Sequence, residues 1–218
     1  YLDFPYDKDP VEPGNYWDGF LDTKQFYAFA PFDLFKTTTK TAMGRTINTD
    51  KEYGSKVRLK PEVRKNIFGV QAQIWSETIK GEAMLEYYYL PRLIAFSETA
   101  WSPERKWETI ENKDAREKQL TSDWNKLANI LALKELPRLS ALNGGCNFRV
   151  PLPGAIIKDG MLYANVEFPG LGIRYTTDGT EPTIQSQLYT QPVKVSGPVR
   201  LKSFVIGGRS SRTSEVQY

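Results

Sequence analysis

Trp75-Ser76-Glu77 sets an indole beside a carboxylate. That pairing suits a sugar, because the indole face packs on the apolar C–H face of a pyranose while the carboxylate accepts hydrogen bonds from neighbouring hydroxyls. Tyr1-Leu2-Asp3, taken as the end of an extended strand, puts Tyr1 and Asp3 on the same side through the two-residue period. In the aromatic and acidic loop Pro10–Phe20 (PVEPGNYWDGF), Tyr16 and Trp17 either line a cleft or pin a long loop to the rest of the protein. Residue type alone leaves a plain structural reading open. A Trp ending a buried strand belongs to a core, the Glu after it is favoured at a helix N-terminus by the macrodipole, and Tyr-Leu-Asp is an ordinary strand end.

Composition removes several other chemistries. The sequence holds no His and a single cysteine, Cys146, which excludes His-based catalysis, an internal disulfide and a Cys/His metal set. No cofactor or metal is expected. Twenty-nine basic and 26 acidic residues give a net charge of +3, too mild to argue for a nucleic-acid or acidic-membrane partner. Lys56–Lys65 (KVRLKPEVRK), the densest basic stretch, reads as a solvated loop. No apolar run approaches the length needed to span a bilayer. The first six residues, YLDFPY, lack an initiator Met, a basic n-region and an apolar h-region, so they are no signal peptide, and the chain is expected to begin inside something larger.

The elements that must position the candidates change character near residue 150. Ile67–Trp75 is a short, mostly apolar run of the kind expected for a parallel strand buried on both faces. Glu82–Trp101 follows, with Pro91 in the first turn of a helix whose apolar face uses Leu93, Ile94, Phe96 and Ala100. Asp114–Arg138 predicts a second helix with a core stripe at Leu120, Trp124, Leu127 and Leu131. The Thr- and Lys-rich stretch Asp33–Tyr53 reads as a loop. Pro151, Pro153 and Gly154 mark a linker. Beyond it, Met161–Phe168, Ile173–Thr177, Pro192–Val195 and Val199–Ile206 read as strands separated by turns at Asp178-Gly179 and Gly207-Gly208. An all-β sandwich of this size fits.

Taken together, YLDFPY, EPGNYW at 12–17, GVQAQIWSE at 69–77 and YYYLPRLIAFSETAWSP at 87–103 resemble the last part of the catalytic barrel of family 20 glycoside hydrolases, β-N-acetylhexosaminidases of the bacterial chitobiase type. FRVPLPGA at 148–155 and IRYTTDGTEPT at 173–183 resemble the small immunoglobulin-like domain that follows that barrel. The fold implied is α/β plus all-β: the C-terminal portion of a (β/α)8 TIM barrel over 1–149, then an immunoglobulin-like β-sandwich over 150–218. In a barrel of this kind, functional side chains project from the C-terminal ends of the strands.

The resemblance implies retaining, substrate-assisted hydrolysis of terminal non-reducing N-acetylhexosamine, in which the acetamido oxygen of the substrate is the nucleophile. An Asp-Glu pair supplies the acid/base and orients the acetamido nitrogen. No Asp-Glu dipeptide occurs here, so the pair is expected upstream of residue 1 and the chain is expected to be inactive alone. What the resemblance assigns to these residues is substrate binding. Tyr1 donates to the acetamido carbonyl oxygen, Asp3 and Glu77 grip outer sugar hydroxyls, Trp75 walls the acetamido pocket, and Trp17 is a platform for the next sugar. The partners implied are an N-acetylglucosamine-containing oligosaccharide and the remainder of the barrel, since half a parallel barrel leaves an open edge and an apolar face. A periplasmic, outer-membrane-associated or secreted location is implied as well. The other reading is a non-catalytic module, either carbohydrate-binding or structural. Its sandwich strands carry Tyr163, Phe168, Tyr175 and Phe204 but no Trp, which favours core packing over a sugar platform.

Overall fold

A computed structural model describes residues 1–15, 19–41, 43–55 and 58–216. The chain divides into two compact units, Tyr1–Trp124 and Asn125–Tyr218. The division falls within the helix Lys113–Ile130, ahead of the sequence shift expected at residue 150, and the first strand of the second unit begins at Gly154.

The first unit is built from short helices and extended segments. Its helices are α1 (Thr23–Tyr27), α2 (Thr49–Tyr53), α3 (Glu82–Tyr89), α4 (Arg92–Trp101) and the start of α5 (Lys113–Ile130). Asp22 caps α1 with a reciprocal capping box, its side chain accepting from Gln25 N while the Gln25 side chain accepts from Asp22 N. α1 packs on α4, where the Thr99 hydroxyl donates to the Phe26 carbonyl at 3.1 Å.

Two expectations for this unit are corrected. Ile67–Trp75 is extended but joins no ladder, and Phe68 is 97% exposed, so the segment is not a strand buried on both faces. A strand needs backbone partners along its edges, and the described residues supply one here, the bond from Leu2 N to the Gln73 carbonyl at 2.7 Å. The residues before it, Pro61–Asn66, form a 3-10 helix. In α4, which does begin directly after Pro91, the buried face is Arg92, Ala95 and Thr99, whereas Leu93 and Ala100 are exposed.

Arg92 is the reason for that rotation. Its side chain is fully buried, and its guanidinium donates to the carbonyls of Leu2 (2.8 Å), Phe4 (2.7 Å) and Leu21 (2.6 Å) while lying 3.3 Å from the centre of the Tyr6 ring. Tyr6 directs its hydroxyl at the carbonyls of Tyr88 and Leu90 (3.1 and 3.0 Å). A second buried cation, Arg105, pairs with Glu108 and donates to the carbonyls of Tyr27 and Phe29. Burying a charge costs much less when it is hydrogen-bonded in this way.

The stretch 33–53 is not only loop. Asn48 caps α2 by accepting from Lys51 N at 3.1 Å, and Tyr53 stacks on Phe35 with centroids 5.3 Å apart. Arg58 joins Asp50 at 2.7 Å and lies over the Phe35 ring.

α5 carries the expected stripe: Leu120, Trp124, Leu127 and Leu131 are all buried. After Ile130 the helix widens into a π-turn, Leu131–Glu135, before α6 (Leu136–Ala141). Pro137 has no N–H for the ordinary i−4 bond and its ring would strike the carbonyl four residues back, so a wider turn precedes it.

The described residues of the second unit form seven strands, β1 (Gly154–Lys158), β2 (Met161–Asn165), β3 (Gly172–Thr176), β4 (Gln187–Tyr189), β5 (Val193–Lys194), β6 (Val199–Phe204) and β7 (Ser214–Val216). They form two antiparallel sheets, ordered β1-β2-β5 and β4-β3-β6-β7. The four expected strands are β2, β3, β5 and β6. β1, β4 and β7 complete the sheets. Asp159 and Gly160, both at positive φ, make the two-residue turn between β1 and β2, which is the Asp-Gly hairpin signal.

Alternation points Leu162, Ile173, Tyr175, Val199 and Leu201 into one core. Phe168, Tyr175 and Phe204 are buried, while Tyr163, opposite Ile156, faces outward. The buried Ser203 hydroxyl donates to the Pro151 carbonyl, tying the linker to β6.

Arg92→Lys is expected to lower the stability of the first unit by about 2–4 kcal/mol, because an ammonium cannot fork onto three carbonyls. Urea unfolding followed by tryptophan fluorescence measures it, and an unchanged midpoint would refute the role given to Arg92.

Candidate functional site

The bond from Leu2 N to Gln73 O, at 2.7 Å, holds the start of the chain against the segment that leads to Trp75. It brings the Tyr1 ring to 6.2 Å from the Trp75 indole, at an interplanar angle of 36°. Phe4 stacks on Tyr1 with centroids 5.5 Å apart. Tyr1 and Trp75 are 51% and 53% exposed, so Trp75 is not a core residue here and both rings offer open surface. Glu77 is exposed and sits in a turn rather than at a helix start, since α3 begins only at Glu82.

Asp3 is the reverse case. Its side chain is fully buried, and neither carboxylate oxygen meets a hydrogen-bond donor among the described residues. A buried polar group left in that condition costs stability, and such a group is a common mark of a binding site.

The loop before Trp17 is fixed from two sides. Gly14 sits at φ +134°, and a Cβ there would come within 2.6 Å of Pro5 N and 2.9 Å of Asp3 O, so the loop backbone lies directly on residues 3–5. Glu12 accepts from the Tyr87 hydroxyl with both oxygens at 3.0 Å. At the end of this loop Asn15 is buried and its side-chain amide donates to Glu77 Oε2 at 3.4 Å. Trp17 and its neighbour Tyr16 lie outside the described residues.

Tyr88, next along α3, is fully buried and shares a 2.9 Å hydrogen bond with Thr78, directly after Glu77. Burial pushes the Tyr88 phenol above its ordinary range, against the pull of the Thr78 bond. The charges of Asp3 and Glu12 act on it in the same direction as burial. The phenol therefore stays protonated and neutral at ordinary pH, a hydroxyl beside two carboxylates.

The structure thus brings the segment bearing Tyr1 and Asp3 against the segment bearing Trp75 and Glu77, with the Tyr1 and Trp75 rings as the direct contact. Sequence reasoning passes over Glu12, Asn15, Tyr87, Tyr88 and Thr78. Four of them lie in EPGNYW and YYYLPR. Three consecutive tyrosines on a helix cannot all face solvent, and a buried tyrosine hydroxyl needs a polar partner. Among the described residues no cluster of His, Cys, Asp and Glu suits a metal ion, and no helix is long and apolar enough to cross a membrane.

Comparison with known proteins matches residues 1–104 to the glycosyl hydrolase family 20 catalytic domain and residues 135–213 to the chitobiase/beta-hexosaminidase C-terminal domain. The chain is 32% identical over 216 residues to N,N'-diacetylchitobiase of Vibrio harveyi, covering 90% of this chain and 23% of that protein. It is 33% identical over 236 residues to a beta-hexosaminidase of Vibrio vulnificus, covering 99% of this chain and 26% of the relative. A beta-hexosaminidase of Porphyromonas gingivalis matches along the whole chain at 23% identity. The chain spans about a quarter of the length of these relatives.

If Asp3 serves a ligand rather than the fold, Asp3→Asn leaves the unfolding free energy from urea titration unchanged or raises it by up to about 1 kcal/mol, because a buried side chain whose oxygens take no protein donor is replaced. A clear fall in the midpoint would show that the carboxylate is structural.

Proposed function

Because this chain belongs to glycoside hydrolase family 20, we propose that it forms the sugar-binding wall of a β-N-acetylhexosaminidase acting on chitooligosaccharides or related glycans. The observation that carries the reading is the open Tyr1–Trp75 pair, with the buried, donor-free Asp3 carboxylate two residues along the chain from Tyr1. A carboxylate without protein donors is ready to accept from sugar hydroxyls, and two half-exposed rings offer apolar faces to a pyranose. Glu77, on the next segment, is the second hydroxyl clamp.

In the proposed reaction the substrate's own acetamido oxygen attacks the anomeric carbon, with an Asp-Glu pair from outside these 218 residues as acid/base. Tyr1 donates its phenol to that oxygen and fixes the angle of attack. Trp75 keeps water from the ring as it closes. Trp17 is proposed as the platform for the next sugar.

The first unit is proposed as the C-terminal portion of a (β/α)8 barrel within 1–149, and the two sheets as an immunoglobulin-like sandwich within 150–218. Three features favour the barrel reading: the extended segments ending at Asp3 and at Glu77 run side by side, a helix follows Glu77, and the exposed Phe68 leaves an apolar surface for further strands to cover. A hollow of about 180 Å³ lined by Tyr1, Phe26, Phe29, Val70 and Phe96 lies along the same segment. The remainder of the barrel is the partner proposed for that surface. Oligosaccharides cut from an insoluble polymer are met outside the cytoplasmic membrane, so a periplasmic, outer-membrane or secreted site of action accords with this substrate. The sandwich is read as structural, since only Tyr163 of its four aromatic candidates is exposed.

A chromogenic N-acetyl-β-glucosaminide tests the proposal. The full-length protein carrying this chain is expected to hydrolyse it and the chain alone is not, while Tyr1→Phe lowers kcat/KM by about 10²-fold. Turnover by the chain alone would sink the upstream placement of the acid/base. An inert full-length protein would sink the activity.

A further inference from the structure

Glu77 stands on an exposed turn, where a carboxylate turns freely about its terminal torsion. A clamp for sugar hydroxyls works better when that torsion is set before the ligand arrives, because ordering a loose side chain opposes binding. Two contacts act on it. Thr78 is tied to Tyr88 at 2.9 Å, which anchors the backbone one residue on, and Asn15 donates its amide to Oε2 at 3.4 Å.

Asn15 is itself held. It is buried, the glycine before it rests on the backbone of residues 3–5, and Glu12 three residues back is gripped by the Tyr87 hydroxyl. Residues 87 and 88 are adjacent on α3 and point about 100° apart, so one helix turn secures both the loop bearing the donor and the turn bearing the acceptor.

We propose that Asn15 is a positioning residue for Glu77: it holds Oε2 so that Oε1 and the remaining lone pairs face the sugar hydroxyls, and the Glu12–Tyr87 contact holds Asn15 in place. This rests on the reading of Glu77 as a hydroxyl clamp. A carboxylate has lone pairs enough for both tasks, about two on each oxygen. The same arrangement links the two clamps, since the loop that ends at Asn15 lies on the carbonyl of Asp3.

The test is a double-mutant cycle in the full-length protein, using a chromogenic N-acetyl-β-glucosaminide and its analogues deoxygenated singly at C3, C4 or C6. Asn15→Ala is expected to lower kcat/KM about tenfold on the intact sugar, mostly through KM. It should cost nothing further in a Glu77→Gln background, nor on the analogue lacking the hydroxyl that Glu77 grips. Asn15→Asp keeps the volume but sets carboxylate against carboxylate, and is expected to cost more than Asn15→Ala at an unchanged unfolding midpoint.

Two outcomes overturn the proposal, and they are distinguishable. If Glu77→Gln discriminates among the deoxy sugars but the Asn15→Ala loss is additive to it, or equal on all substrates, Asn15 does not act through Glu77. If Glu77→Gln discriminates among none of them, the clamp reading fails and Asn15 loses its role with it.

Discussion

The first unit depends on one buried guanidinium. Its extended segments have no sheet ladder among the described residues, so their carbonyls must find donors elsewhere or pay the cost of burial. Arg92 supplies those donors to Leu2, Phe4 and Leu21 and lays its flat face on Tyr6. A guanidinium can do this because its N–H groups lie in one rigid plane and it stays charged. It joins the start of the chain, the segment before α1 and the first turn of α4, and so fixes the backbone on which Tyr1 and Asp3 stand.

From that frame the site grows by hydroxyl contacts rather than by packing alone. Tyr6 ties residues 1–6 to the end of α3, Tyr87 ties the Glu12 loop to the same helix, and Tyr88 ties the turn after Glu77. Tyrosine suits the task, since its body buries well while its tip finds a partner. The exception is Asp3, whose carboxylate sits inside this network without taking a donor from it. Such an exception is the kind of group that the proposed sugar-binding role would use.

The second unit needs no such device. Its strands alternate, its turns carry Asp-Gly and Gly-Gly, and its backbone groups pair within two sheets. Two of its polar contacts tie the linker region to the rest of the unit, Ser203 with Pro151 and Arg149 with Glu167. This division explains why four strands of the second unit, β2, β3, β5 and β6, were legible while the buried Arg92 of the first unit was not. Period-two alternation is written locally, whereas an Arg that faces inward among Leu93, Ile94 and Phe96 looks like a surface residue until the carbonyls it serves are brought near.

The sequence by itself determined the family, through four motifs in order, and with it the candidates Tyr1, Asp3, Trp75 and Glu77. It also determined the α5 stripe and the strands that alternate, because helix period and strand period are local properties. Only the tertiary structure decided that Ile67–Trp75 forms no buried strand, that α4 turns Arg92, Ala95 and Thr99 inward, and that Asp3 is buried without donors while Trp75 is open. The same holds for Asn15 and Glu77, which are 62 positions apart in sequence. Burial and hydrogen-bond partnership between distant residues depend on which backbone groups lack partners, and that is settled only when the segments meet.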